Sequence, residues 1–414
     1  MTEHIHVAAG LDLHKKFIIA TLLSDEGRKE QRRFERTEHG LLALKEWTKE
    51  NRCNVVACES TSDYWIPVYD MLEDHTKVIV GNARDIKMFS HKKTDKVDSE
   101  LIAQLALNGM IPSSRVHPRQ HREFRSLSRL RHKLVQKSTD IKNEIHHILD
   151  SQLFRLSSVL TDMFGKGGLL ILQGIVNGMP GDEIIKVLPR HVRKKIPDLT
   201  EILQTTISPE AIYRLRHCLN LLKCLKETTN DITAGILHYA TEHFEHEMKI
   251  LKSVPGIGNI AAVTLLAEIG NFSDFPSGDK LASWLGLVPN VYQSADTLRT
   301  GGITKRGSKD ARWILIQSAH AAARSRNNDL RRFFDSKKAM IGTGKTIVAL
   351  ARKIVVVIWH LITYDEFFDH RDEKTSVPLK FVKVRIPALV TLEEILKILH
   401  EAAVVLKEPD PGGG

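Results

Sequence analysis

Four acidic residues in the first hundred positions could act together on a phosphate group. Asp95 and Asp98 are three residues apart and precede an apolar run over 101–106 with helical spacing, which predicts both carboxylates on one face of a helix start. Acids also stabilise a helix N-terminus, so an ordinary charged first turn is the alternative interpretation. Asp12 and Glu59 end two apolar, strand-like runs upstream, and this favours a functional group of acids.

The elements that would position these acids form an α/β domain. Apolar runs at 7–12 and 17–23, and a turn signal at 25–27 before 32–35, predict three antiparallel strands. Helical and strand-like segments then alternate up to residue 89. The resulting order β-β-β-α-β-α-β-α predicts a mixed five-stranded sheet and is the order of the RNase H-like fold. Asp12 would lie on the central strand, Glu59 at the end of the fourth, and Asp95 and Asp98 on a helix beside them.

Converging carboxylates would call for a divalent cation. Four negative charges at one point repel one another unless a cation neutralises them. Carboxylate oxygens suit Mg²⁺, with Mn²⁺ as a possible substitute. Two such ions can stabilise the attacking and leaving oxygens of a phosphodiester. The alternative is that the four acids lie apart on the surface.

The charge of the chain favours a polyanionic partner. The 414 residues carry a formal net charge of +10 and a pI of about 9.3, which is typical of proteins that bind nucleic acid. Residues 115–137 form a predicted amphipathic helix whose charge is almost entirely positive, as suits phosphate contacts better than a mixed, solvated face. The candidate contacts in this helix are Arg122, Arg125, Arg129 and Lys133.

The remainder of the chain is predicted to be mainly helical. Residues 150–250 look all-helical, and the apolar spacing in 215–236 resembles a coiled-coil arm that could dimerise. Residues 254–258 fit a helix-hairpin-helix pattern, in which Gly256 and Gly258 would let backbone N–H groups approach a phosphate; an ordinary turn is the alternative. A glycine-rich, basic stretch follows, and its candidate phosphate contacts are Arg299, Lys305, Arg306, Lys309 and Arg312.

Cysteine usage and hydropathy predict a cytoplasmic protein. The four cysteines form no metal-binding pattern and are expected to be reduced and partly buried. Residues 1–6 carry no signal-peptide pattern. The most apolar helix candidate, 347–362, is interrupted by charged residues and is expected to be a core helix, so no membrane partner is expected. The predicted domains are 1–112, 113–250, 251–370 and a tail over 371–414.

The motifs together resemble the transposases of the insertion-sequence one-ten family, also called bridge recombinases. The three acidic motifs are Gly10-Leu11-Asp12-Leu13-His14-Lys15, Glu59-Ser60-Thr61-Ser62-Asp63-Tyr64-Trp65 and Lys93-Thr94-Asp95-Lys96-Val97-Asp98. The C-terminal half matches through Pro255-Gly256-Ile257-Gly258, Gly286-Leu287-Val288-Pro289, Gln293-Ser294 and Ile303-Thr304-Lys305-Arg306-Gly307. The resemblance covers roughly residues 7–150 and 250–365. Ser62 and Ala295 stand where the family commonly has glycine.

The resemblance implies a fold and a mechanism. The N-terminal domain would be RuvC-like, with Asp12, Glu59, Asp95 and Asp98 binding Mg²⁺. Ser294 would attack DNA and hold it as a covalent phosphoserine; Ser308, Thr300 and Ser283 are the alternatives. Target and donor double-stranded DNA would be the substrates, a noncoding bridge RNA the guide, and a homodimer or tetramer the active form.

Two other functions compete with this RNA-guided recombinase. A junction-resolving nuclease would hydrolyse DNA with water and would need only the four acids. A decayed transposase or a structural scaffold would only bind nucleic acid. The intact acids and serine argue against decay.

Overall fold

The structure is a computed structural model that describes residues 4–89, 99–193, 196–294, 297–305, 307–325 and 329–369. Asp95, Asp98 and Arg306 lie outside the described residues, so their predicted positions stay predictions. The chain divides into two compact units at residue 236. That division lies within the predicted helical region 113–250.

The first unit begins with the α/β domain that the sequence predicts. Its strands are β1 (Val7–Leu13), β2 (Phe17–Ser24), β3 (Lys29–Glu35), β4 (Val55–Glu59) and β5 (Lys77–Gly81). Its helices are α1 (Glu38–Glu50), α2 (Trp65–Leu72), α3 (Ala83–Lys87) and α4 (Ser99–Leu107). The sheet order is β3-β2-β1-β4-β5, with β1 antiparallel to β2 and parallel to β4. The mixed five-stranded sheet and the central position of β1 are therefore confirmed, whereas the RNase H-like assignment stays a prediction.

Helices cover both faces of the sheet. Leu44 and Trp47 of α1 and Leu72 of α2 pack with one set of strand side chains. Ile86 of α3 and Ile102 of α4 pack with the alternate set. Successive residues within β1, and within β4, thus point into different cores, as the two-residue period of a strand requires. This alternation decides which face each later side chain in these strands occupies.

Helix α4 packs directly against the backbone of β1 at Gly10. A Cβ atom at Gly10 would lie 2.2 Å from the backbone nitrogen of Ala103 and 2.2 Å from the carbonyl oxygen of Ser99. Beside this contact, the buried hydroxyls of Thr21 and Ser99 form a 2.7 Å hydrogen bond. Gly10 therefore has no side chain because the helix backbone occupies that space.

The rest of the first unit is helical, as predicted. Its helices are α5 (Arg119–Ser151), α6 (Leu156–Val159), α7 (Lys166–Val176), α8 (Gly181–Val187), α9 (Arg190–Arg193), α10 (Ile196–Leu203) and most of α11 (Pro209–His243). Ile145 and Ile148 of α5 share one core with Leu215 and Leu222 of α11. Part of the apolar stripe that predicted a coiled-coil arm is therefore buried within the chain itself.

The second unit packs around one long helix. Its helices are α12 (Glu245–Ser253), α13 (Asn259–Ile269), α14 (Gly278–Trp284), α15 (Lys309–Arg324), α16 (Asp329–Ile341) and α17 (Thr343–Tyr364), and its hairpin is β6 (Pro289–Ser294) with β7 (Thr297–Ile303). A short 3-10 turn, Phe272–Asp274, follows α13. By length and composition α17 could cross a membrane, but it contacts α12, α14, α15 and α16. Its packing agrees with the predicted core helix.

The cysteines are free, as predicted. Cys53 and Cys58 are buried, whereas Cys218 is half-buried and Cys224 is exposed. Burial raises the pKa of Cys53 and of Cys58 to about 12. Both therefore stay protonated at neutral pH and act as small apolar side chains in the sheet core.

We expect Gly10→Ala to lower the free energy of unfolding by about 3 kcal/mol, because the added methyl group would meet helix backbone that cannot rotate away. Urea denaturation followed by circular dichroism measures this change. Gly235→Ala is the matched control in the same unit: its added Cβ meets nothing within 4 Å, and alanine favours the helix by about 0.5–1 kcal/mol. Equal effects of the two substitutions would contradict the packing described for Gly10.

We also expect Ser62→Gly to stabilise the protein by about 0.5–1 kcal/mol, because Ser62 has a φ of 56° in the turn between β4 and α2. The glycine that is common in the family at this position would adopt this conformation without strain. Ser60→Gly is the control, since Ser60 has no positive φ, and there glycine should destabilise. Thermal unfolding of both variants checks the opposite signs.

Candidate functional site

Asp12 and Glu59 follow neighbouring paired positions of two parallel strands. Leu11 of β1 pairs with Cys58 of β4, and each acid is the next residue along its strand. Parallel strands end at the same edge of a sheet, so the two acids lie side by side there. The Asp12 side chain is 34% exposed and Glu59 is partly buried, so both can reach a ligand from solvent.

Both acids also belong to the face of the sheet that α4 covers. Ala8 of β1 and Ala57 of β4 lie in the core that α4 completes. Side chains two or four residues further along a strand point to the same face, which places Asp12 and Glu59 on that face. The first residue of α4, Ser99, reaches Thr21 on β2 by the hydrogen bond described above. Asp98 directly precedes Ser99 in sequence.

His14, which belongs to the first acidic motif, is a neighbour of Asp12 that residue type and spacing did not reveal. Its Nε2 atom lies 3.0 Å from Oδ2 of Asp12, and its ring packs against Phe17 with centroids 4.5 Å apart. The backbone N–H of His14 donates to the carbonyl of Phe17 in the turn between β1 and β2. A histidine two residues after a strand-end acid, at the start of a tight turn, is the signal that could have identified it.

The residues present fit a hard divalent cation. Asp12 and Glu59 supply carboxylate oxygens at a partly exposed edge, the donor type that Mg²⁺ and Mn²⁺ prefer. Among the described residues, a second group with metal-ligand types consists of His4, His6 and Asp25. All three are exposed, and the hydrogen bond from His6 lowers the pKa of Asp25. That group lies at the other end of β1 and β2 from Asp12 and resembles a surface ion pair.

In the second unit, Ser294 is the last residue of β6 and pairs with Thr297, the first residue of β7. The backbone therefore places Ser294 at the tip of a two-stranded hairpin. Two of the alternative nucleophiles have defined positions. Ser308 is buried and caps α15 by accepting a hydrogen bond from the N–H of Ala311, whereas Ser283 is exposed on α14. Its burial and capping bond make Ser308 a structural residue.

Two of the predicted phosphate contacts are used inside the fold. Arg122 is only 11% exposed, donates to the carbonyl of His117 and pairs with Asp70. Arg312 is 8% exposed and donates to the carbonyls of Leu285 and Gly307 at 3.0 and 3.1 Å. Their guanidinium groups hold α5 and the glycine-rich loop in place, a role that residue type and spacing did not reveal.

The other predicted contacts differ in exposure. Arg125 and Arg129 are half-buried on α5, and Lys133 is exposed there. Lys305 and Lys309 are exposed on either side of Gly307, and Lys305 has a φ of 54°. The backbone of Arg299 lies in β7, opposite Tyr292.

The two glycines of the predicted helix-hairpin-helix have different surroundings. Gly256 has a φ of 90°, and a Cβ there would lie 2.3 Å from the carbonyl oxygen of Ser318 on α15. It allows close packing between helices. At Gly258, which caps α13, a Cβ would meet nothing within 4 Å. The helix-hairpin-helix assignment stays a prediction, and Gly258 is the glycine with open space for a ligand.

Two protein-family models match separate segments of the chain. Residues 9–154 match an IS110-type transposase model whose name includes DEDD, and residues 248–335 match the model described as transposase IS116/IS110/IS902 family. Together the matched segments cover more than half of the chain and include the acidic motifs and the serine hairpin.

Relatives support the same family. The transposase for insertion sequence element IS1111A of Coxiella burnetii is 23% identical over 76% of this chain and 79% of its own length. A probable family 20 transposase of Pseudomonas aeruginosa is 25% identical over 66% and 72% of the two chains. The pilin gene-inverting protein of Moraxella bovis is 32% identical over 45% of this chain and 58% of its own length. This chain belongs to the IS110 family of transposases, enzymes that cut and rejoin DNA.

Proposed function

We propose that the protein is a Mg²⁺-dependent, RNA-guided recombinase of a mobile element that uses Ser294 as its nucleophile. The observation that carries the proposal is the register of β1 and β4, which sets Asp12 beside Glu59 on the face covered by α4. Asp95 and Asp98 complete the proposed ligand set, in keeping with the four acids in the name of the matched family model. Target and donor duplex DNA are the proposed substrates.

These acids would hold Mg²⁺, with Mn²⁺ as a substitute. When bound, the ion would offset the charge of the carboxylates and of the reacting phosphate. His14 would fix the orientation of the Asp12 carboxylate through their 3.0 Å contact, because a hydrogen-bonded ligand has fewer rotamers available. The partial exposure of Asp12 leaves room for a phosphate to approach.

In the proposed reaction, the Ser294 oxygen forms a bond to a DNA phosphorus as the bond from phosphorus to the 3′ oxygen breaks. The serine proton passes to a base, and the departing 3′ oxygen takes up a proton. The product is a 5′-phosphoserine with a free 3′ hydroxyl. Attack of a 3′ hydroxyl from another strand reverses these steps and releases Ser294. The number of phosphodiester bonds is conserved, so rejoining needs no ATP.

The same proposal assigns specificity to base pairing. A noncoding bridge RNA would pair with target and donor DNA, and the protein would contact backbones through exposed cations such as Lys133, Lys305 and Lys309. Exchange between two DNA molecules would use a dimer or tetramer. The proposed phosphate contacts leave out Arg122 and Arg312, since both side chains are largely buried.

We expect Asp12→Asn and Glu59→Gln each to reduce strand cleavage and joining at least about 100-fold, because each loses a charged ligand while keeping its shape. Cleavage of labelled DNA carrying the element ends, with the RNA supplied, measures this. Asp63→Asn is the matched control, an exposed acid in the turn after β4. A rise in melting temperature with Mg²⁺ should be lost in the two site variants and kept in the control. Full activity of Asp12→Asn would overturn the metal proposal.

We expect Ser294→Ala to abolish the covalent protein–DNA adduct, because no other hydroxyl takes over its attack. Denaturing gels of radiolabelled DNA detect the adduct. Ser283→Ala should keep it, and Ser308→Ala should keep it while losing about 1 kcal/mol of stability through the lost helix cap. If Ser294→Ala still cleaves DNA at the wild-type rate, the protein is instead a nuclease that uses water and the acidic residues, like a junction resolvase.

A further inference from the structure

A cavity of about 760 Å³ lies between α5, α7 and α11 in the first unit. Most of its lining comes from residues 164–230, which lie between the two segments matched by the transposase models. Its volume is typical of ligand pockets. Neither the proposed acidic site nor the serine hairpin contributes to it, so the proposed reaction leaves it without a role.

The charge of the cavity is of one sign. Four cationic side chains line it, Lys142, Arg216, Lys223 and Lys226, and no acidic residue is among its lining. Within the described part of the chain, none of these four cations forms an ion pair with a carboxylate. Arg216 donates to the backbone carbonyl of Val176. Cations that line one cavity without an acidic partner give it a positive potential that would attract an anionic ligand.

The positions of the cations favour an extended anion over a single phosphate. Arg216, Lys223 and Lys226 lie on one face of α11, and the first and last are separated by about 15 Å along the helix axis. One phosphate group cannot contact both ends of that row. Lys142 faces the same cavity from α5. A chain of phosphates would pass several of these cations in turn.

Aromatic and amide groups accompany the cations. Phe164 lines the cavity half-buried, with the Lys142 ammonium 5.3 Å from its ring centroid. Gln173, Asn177 and Asn220 also line it, and within the described residues their side-chain amides form no hydrogen bond. Amides donate and accept, as the edge of an unpaired base requires, and an aromatic ring offers a surface on which a base stacks.

We propose that this cavity binds an unpaired segment of nucleic acid, with its phosphates along the cationic row of α11 and a base against Phe164. Paired strands present their bases to each other, so a duplex could not use the amides or the ring in this way. The proposal deepens the proposed function, since a guide RNA would be one source of such a segment. Its test measures binding without cleavage, so loss of the Ser294 reaction would leave the result unchanged.

The test uses the full-length protein and fluorescein-labelled single strands of about ten nucleotides, as RNA and as DNA of one sequence, and the corresponding duplex. The variant Lys223→Glu with Lys226→Glu should bind single strands at least tenfold more weakly in fluorescence anisotropy. Its slope of log Kd against log salt should fall by about 1.4, since two phosphate contacts are lost. Duplex binding should change less than twofold. RNA and DNA arms show which backbone the cavity prefers.

The matched control reverses two exposed lysines outside the cavity, Lys166→Glu with Lys252→Glu, and changes the net charge equally. It should alter single-strand affinity less than twofold. Phe164→Leu keeps an apolar side chain and should weaken single-strand binding at least about fivefold through lost stacking. Circular dichroism melts verify that each variant is folded. Equal affinities of the cavity variant and the control would overturn the proposal.

A photocrosslink locates the ligand independently of affinity. Single strands carrying 5-iodouridine should crosslink to Phe164 in the wild-type protein, and mass spectrometry should recover that peptide. Competition with unlabelled single strand should remove the crosslink, whereas duplex should not. Crosslinks confined to peptides outside α5, α7, α11 and the segment around Phe164 would also overturn the proposal.

Discussion

The contact of α4 with β1 at Gly10 is the constraint on which the candidate site depends. The helix backbone occupies the space that any side chain at Gly10 would need. It is held there by the apolar side chains of α4 and by the buried hydrogen bond between Ser99 and Thr21. The start of α4 is therefore anchored beside the strand that carries Asp12, two residues after Gly10. Loosening this contact would change the position of the helix start relative to the acidic edge.

The pairing of β1 with β4 is the second constraint on the candidate site. β1 is antiparallel to β2 but parallel to β4. Asp12 and Glu59 therefore lie at the same edge of the sheet, although β2, β3 and α1 separate them in sequence. Backbone hydrogen bonds fix their register, which leaves only side-chain rotation to vary. Two carboxylates held side by side repel, and this unfavourable interaction is what a bound cation would offset. The neighbouring His14 contacts the Asp12 carboxylate from the turn between β1 and β2.

Positive charge serves two different purposes in this chain. Arg122 donates to the carbonyl of His117 and pairs with Asp70, and Arg312 donates to two backbone carbonyls, so both stabilise the fold. The lysines of the cavity beside α11 have no such partners among the described residues and remain able to meet an anion. A net charge of +10 indicates a polyanionic partner but does not distinguish these two groups. Burial distinguishes them, because desolvated guanidinium groups must be paired within the protein.

The sequence alone determined the element order of the first domain, the central position of β1 and the strand-end positions of Asp12 and Glu59. Periodicity and turn residues report these features because they are local along the chain. The order of the motifs along the chain was also sufficient to indicate the transposase family. Only the tertiary structure decided that Arg122, Arg312 and Ser308 are structural, that Gly256 serves helix packing, and that a cationic cavity lies beside α11. Each of these depends on contacts between residues far apart in sequence, which spacing along the chain cannot encode.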